Sequence, residues 1–189
     1  MKAWIKKLFA VSALGCAVCI PVKVDASSMV VPEDIYEWVQ SSSRINYYFN
    51  KQEICYGTDG AGKIDHNTLK VPVLKTYDDI QIEDVLVKRK WRQEPVDGYE
   101  DVAGEAEYLV FDLEKKTVIV EHMDLLDSQM WSLERKSPND VLEIEKMSEK
   151  NKEGIFLKEI LKYEAKHRSE ITKQSKEKLK AKKASNHEK

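Results

Sequence analysis

The chain has 189 residues, 42% hydrophobic, 8% aromatic and 34% charged, with 7 Gly and 5 Pro. That length suits one domain rather than two, and the composition excludes a collagenous, a multi-spanning or a wholly disordered protein. The net charge of −2 conceals a division: residues 27–165 carry 18 Lys and Arg against 29 Asp and Glu, net −11, whereas 166–189 carry 9 against 3, net +6. A basic tail therefore follows an acidic body.

The amino-terminal segment has the three parts of a secretory signal: Lys2, Lys6 and Lys7, an apolar run over 8–20, and Val24-Asp25-Ala26 before Ser27. The 13 apolar residues of that run fall short of the roughly 20 that a membrane-spanning helix needs. Residues 1–26 are read as a signal peptide cleaved after Ala26, so the protein is expected to be exported, whether periplasmic, secreted or on the cell surface. No transmembrane span is expected in the mature chain. Lipid attachment at Cys16, after Leu14-Gly15, is the competing reading, but Ala13 stands where such signals carry leucine. Cleavage leaves 163 residues (189 less 26) and one cysteine, Cys55. Between Ile54 and Tyr56 it is expected to fill the core, since free cysteine is among the most buried residue types.

Along the mature chain, Pro32-Glu33-Asp34 leads into Ile35, Tyr36, Trp38 and Val39, which suit either a helix or a strand. Ile45–Asn50, INYYFN, is β-branched and aromatic and predicts a strand. A short strand is predicted over 53–56, then a turn over 57–62, where glycine supplies positive backbone angles. Residues 68–77 predict another strand, placed at a sheet edge or bulge because Pro72 has no amide to donate. Asp78-Asp79 before Ile80, Ile82, Val85, Leu86 and Trp91 suits a helix cap or a further strand, and Asp97-Gly98 marks a turn. Residues 107–113 and 117–123, joined by Glu114-Lys115-Lys116, read as a hairpin whose first strand is apolar on both faces and hence central. Beyond Pro138 the pattern turns helical, with Ile155, Phe156, Ile160, Leu161 and Tyr163 on one stripe. Past Lys166 only Ile171, Leu179 and alanines remain, so 173–189 reads as a solvated helix that frays or is disordered.

Catalytic chemistry finds little support. His66, His122, His167 and His187 accompany no strained serine turn, and Cys55 with His122 is the one nucleophile and base pair to draw. In Glu121-His122-Met123-Asp124, strand alternation lets His122 and Asp124 share a metal but separates Glu121; a half-exposed strand end is the simpler reading. Asp59-Gly60-Ala61-Gly62-Lys63-Ile64-Asp65 breaks the calcium pattern at Ala61 and Lys63 and the phosphate-loop pattern at Ile64, leaving a hairpin turn. No cofactor is expected.

Lys88-Arg89-Lys90-Trp91-Arg92 is basic with one aromatic, a composition of polyanion sites that in an acidic domain more often balances nearby Asp and Glu. The tail is the better candidate. Lys173, Lys176, Lys178, Lys180, Lys182 and Lys183 are the expected contacts to an anionic cell-wall polymer or lipid headgroups, unless they serve solubility or fold back on the acidic body. No sequence-specific nucleic-acid partner is expected.

Trp38-Val39, then Tyr47-Tyr48-Phe49-Asn50, the stretch 71–77, and Tyr108-Leu109-Val110-Phe111-Asp112 before a second strand follow an order that resembles the small exported proteins grouped with bacterial surface-adhesin protein E. The resemblance spans roughly 38–127 and implies an antiparallel sheet with a flanking helix and, for the family's named member, adhesion to host matrix proteins. The chain departs from that group in having no second mature cysteine and in its long basic helix after Ala165. No functional residue is carried over.

These readings converge on a single α+β domain over 27–165, an antiparallel sheet with a flanking helix, followed by a basic, helical and partly disordered tail over 166–189. Tyr47, Phe49, Leu109, Phe111, Ile119, Phe156 and Ile160 are expected in the core. The expected function is a non-enzymatic exported binding or adhesion-like module for an envelope or extracellular protein or an anionic polymer. A small envelope hydrolase or thiol-redox protein using Cys55 is the alternative.

Overall fold

A computed structural model describes residues 29–187. The signal segment, its cleavage point and Cys16 lie outside the described residues, as do 188–189.

The chain builds an open antiparallel sheet of eight strands and two helices, the expected α+β class. The strands are β1 (Tyr36–Ser41), β2 (Ile45–Asn50), β3 (Cys55–Thr58), β4 (Ile64–Tyr77), β5 (Val102–Asp112), β6 (Thr117–Asp127), β7 (Ser132–Lys136) and β8 (Val141–Glu143). Helix α1 (Asp79–Trp91) follows β4, and α2 (Lys152–His187) closes the chain after a one-turn 3-10 helix, Ile144–Lys146. The sheet order is β1-β2-β4-β5-β6-β7; β3 continues the line of β2 along β4, and β8 that of β7 along β6. No described helix is long and apolar enough to cross a membrane.

Strand alternation sorts the side chains. Tyr47, Phe49, Leu69, Val71, Val73, Leu109, Phe111, Val118 and Val120 pack on one face against Phe156, Leu157 and Ile160 of α2. Tyr47 meets Phe156 and Phe49 meets Tyr163 ring to ring, with centroids 5.3 Å and 4.7 Å apart. Six of the seven expected core residues lie here. Ile119 does not: it pairs with Val110 on the face without a helix and is 39% exposed. A strand apolar on both faces proved central, yet α2 covers one face only.

Pro72 lies neither at an edge nor at a bulge. β4 pairs with β3 up to Lys70 and with β2 from Val73 onward, while Pro72 itself pairs with Tyr108 of β5. The missing amide thus sits beside the gap between β2 and β3, where that side has no ladder partner. Residues 79–91 form a helix because the Asp78 side chain accepts from the Gln81 amide at its amino terminus. At Gly104 a Cβ would stand 2.3 Å from the Lys75 carbonyl, so only glycine lets β5 approach β4 there.

The tail also differs from expectation. α2 continues to His187 through one kink at His167 (φ −109°, ψ 20°), and past the kink it stays packed, with Ile171 only 1% exposed and Ser175 buried. The sparse apolar residues suffice because β3 lies beneath them.

Candidate functional site

Side-chain hydrogen bonds hold α2 on β3 and the turn before it. The Tyr56 amide donates to Ser175 Oγ at 2.8 Å, and Ser175 in turn donates to the Ile171 carbonyl at 2.7 Å. Lys178 Nζ donates to the Glu53 carbonyl at 2.8 Å and also meets the Glu53 carboxylate. The Tyr56 hydroxyl donates to buried Glu164, which Arg168 Nε also reaches at 3.0 Å. Burial and then this carboxylate push the Tyr56 phenol up to about 12.

Between this helix and the β3–β4 hairpin lies a cavity of about 350 Å³, lined by Cys55, Thr58, Lys70, Ser175, Lys178, Lys182 and Lys183 among others. Lys178 and Lys182 are one helical turn apart with Lys183 beside them, and Lys70 reaches in from β4. No carboxylate belongs to its lining; Glu53, paired with Lys178, is the acidic group joined to it by an ion pair. The hairpin that closes it turns as expected. Asp59 Oδ1 accepts from the Ala61 and Lys63 amides at 3.0 Å and 2.8 Å, and Gly62 takes φ +70°.

Of the six tail lysines singled out in the sequence, the structure brings Lys178, Lys182 and Lys183 to this cavity. Lys173, Lys176 and Lys180 are exposed and do not line it. Lys70, on a strand far off in sequence, escaped sequence reasoning; its signal is an exposed charge between the buried Leu69 and Val71.

Cys55 is half-buried rather than a filled core position. Burial pushes its thiol above the ordinary value, and Lys178 and Lys70 offset this only in part. No histidine lines the cavity beside it: His122 stacks on Tyr108 with centroids 4.0 Å apart, and His66 meets the Tyr56 ring edge-on at 4.6 Å.

Asp124 spends its carboxylate on Arg135, whose Nε and Nη2 donate at 2.8 Å, and on the Ser132 hydroxyl at 2.9 Å. Arg135 holds it below the usual carboxylate range. Among the described residues no cluster of three or more His, Cys, Asp and Glu is placed to hold a metal.

A second polar centre was not read from the sequence. Lys75 Nζ lies 2.8 Å from Glu107, 3.3 Å from Glu153 and 3.4 Å from Glu105, and 5.9 Å from the Tyr47 ring centroid. Burial opposes the ammonium, but the three carboxylates outweigh it and keep Lys75 protonated. For Glu107 the same burial outweighs Lys75 and pushes the carboxyl up to about 7. Its Oε2 is buried with no hydrogen-bond partner among the described residues. The visible signal was a lysine and two glutamates at positions whose strand neighbours, Val73 and Leu109, face the core.

Comparison with family models, with curated proteins and with solved structures finds no match to the chain.

Proposed function

We propose that the protein is an exported, non-enzymatic binding module that engages an anionic polymer through the cleft between α2 and the β3–β4 hairpin. The observation that carries this reading is the convergence of Lys70, Lys178, Lys182 and Lys183 on one cavity without a lining carboxylate. Ammonium groups on flexible stems suit the repeated charges of a polymer, which neutralise several lysines at once. Export rests on the signal-like segment of the sequence, and the adhesion-like character on the resemblance to small exported surface proteins. The raised Cys55 thiol and a cavity lining without histidine favour binding over thiol chemistry.

Polyphosphate titrated into the chain from Ser27 tests the reading. Binding should weaken sharply between about 0.01 M and 0.15 M salt, as the screening length falls from roughly 30 Å to 8 Å. Replacing Lys178, Lys182 and Lys183 by glutamate should abolish it. Salt-insensitive binding, or binding that survives the replacement, would overturn the assignment. Mass spectrometry of protein from its native host should find Ser27, or a residue within two of it, at the amino terminus; a lipidated Cys16 would instead make the protein membrane-anchored.

A further inference from the structure

α1 carries apolar residues on two sides: Ile82, Val85 and Leu86 are half-buried, whereas Ile80, Val87 and Trp91 are exposed. Ile80, Val87 and Trp91 recur at i, i+7 and i+11, one line along the helix. All three face solvent, Trp91 at 86% exposure. Asp84, the remaining member of this line, is neutralised by Arg44. The side turned toward the sheet is mixed: Gln81, Val85, Lys88, Arg89 and Arg92 line the cavity beneath the helix, and Arg89 is the one α1 residue that is buried.

The basic run around Trp91 divides into two roles. Arg89 is committed to the fold. Its Nη1 meets Glu134 at 2.5 Å, its Nε donates to the Pro95 carbonyl at 2.8 Å, and its guanidinium stacks 3.6 Å from the Tyr99 ring centroid. Lys88, Lys90 and Arg92 are exposed and make no ion pair among the described residues. Lys88 and Arg92 border the cavity beneath the helix and also the outer patch of Val87 and Trp91, whereas Asp79 and Glu83 belong to the amino-terminal half of the helix.

We infer that the carboxyl end of α1 docks on an anionic lipid surface, with Trp91 and Val87 entering the interface and Lys88, Lys90 and Arg92 meeting the headgroups. An exposed tryptophan beside free cations fits that partner on two counts. The indole gains from the apolar boundary, and the cations complement the surface charge. The α2 cleft has the charge without an exposed aromatic: Leu179, the large aliphatic of its lining, is half-buried, and Tyr56 is buried. This inference stands apart from the polymer reading, since the two surfaces share no residue.

Vesicles of phosphatidylglycerol and of phosphatidylcholine provide the test, mixed with the chain from Ser27, which holds every described residue. Trp38→Phe with Trp131→Phe leaves Trp91 as the sole tryptophan of that chain. Its emission should shift to the blue on phosphatidylglycerol and stay unchanged on phosphatidylcholine. In the chain from Ser27 with its other tryptophans in place, Trp91→Ala should weaken vesicle binding about tenfold, and, because the side chain is solvent-facing, it should leave the melting temperature where it was. Absence of the shift, or equal affinity for vesicles after Trp91→Ala, would overturn the inference. So would vesicle binding that Trp91→Ala spares and glutamate at Lys178, Lys182 and Lys183 removes. None of these outcomes bears on polyphosphate binding, so the two readings fail separately.

Discussion

Ser175 accepts the backbone amide of Tyr56 at 2.8 Å across 119 positions of sequence. This bond ties a tail that composition marks as solvated to β3, a short strand of the acidic body that pairs with β4 alone. Ser175→Ala would leave that buried amide without a partner and is expected to cost about 1–3 kcal/mol. Urea unfolding monitored by circular dichroism measures the cost; an unchanged midpoint would mean that the tail is not held there.

Lys75 stands between three carboxylates, and removing it would leave buried Glu107 and partly buried Glu105 and Glu153 without their cation. Lys75→Met is expected to destabilise the fold by about 3–5 kcal/mol. Glu107 adds a pH signature. Its folded pKa of about 7 lies above the ordinary value of 4.5, so between the two the folded state binds more protons. Stability contributed by the protonated group is therefore present below 4.5 and lost as pH rises through 7. Unfolding midpoints across that window should fall with rising pH, and Glu107→Gln should flatten the slope. A slope of the opposite sign would show that the carboxyl is ionised throughout.

Phe111 and Ile119 are apolar residues on adjacent strands with opposite fates. Phe111→Ala is expected to cost about 3–5 kcal/mol, because its ring is fully buried against the α2 side of the sheet. Ile119→Ala should cost well under half of that, since its side chain is partly in water already. Thermal melts of the two variants separate these expectations, and equal losses would mean that the second face is covered too.

Cys55 should react slowly with a thiol reagent at neutral pH in the native protein and rapidly once urea unfolds it. The raised thiol and its half-buried position both predict this. Rapid native labelling, monitored by mass, would revive the thiol enzyme as the better account of the chain.

How much was legible in advance follows the range of the forces involved. INYYFN over Ile45–Asn50, the β5–β6 hairpin and the Phe156 and Ile160 stripe were readable because periodicity is local: it reports which residues share a face within one element. The α+β class and the charge division came from the same kind of information. Pro72 shows where it stops. A proline excludes a ladder bond but not a central strand, and only the break between β2 and β3 decided that no bond was needed beside it.

The candidate site was half legible. Lys178, Lys182 and Lys183 stood out by charge, but their spacing on α2 says nothing of β3 and β4, so Lys70 and the choice of three tail lysines out of six waited on the packing of the helix. The Lys75 cluster needed more: its carboxylates come from β5 and from the first turn of α2. By itself the sequence determined the strands β2 to β6, the helical stripe and the amount of charge at each end of the chain; it left β1 open between helix and strand, showed no β7, and read as helical the stretch after Pro138 that first forms β8. Tertiary structure decided which face is buried, which charges are neutralised and which remain free, because each of those depends on the distance between residues that the chain alone leaves far apart.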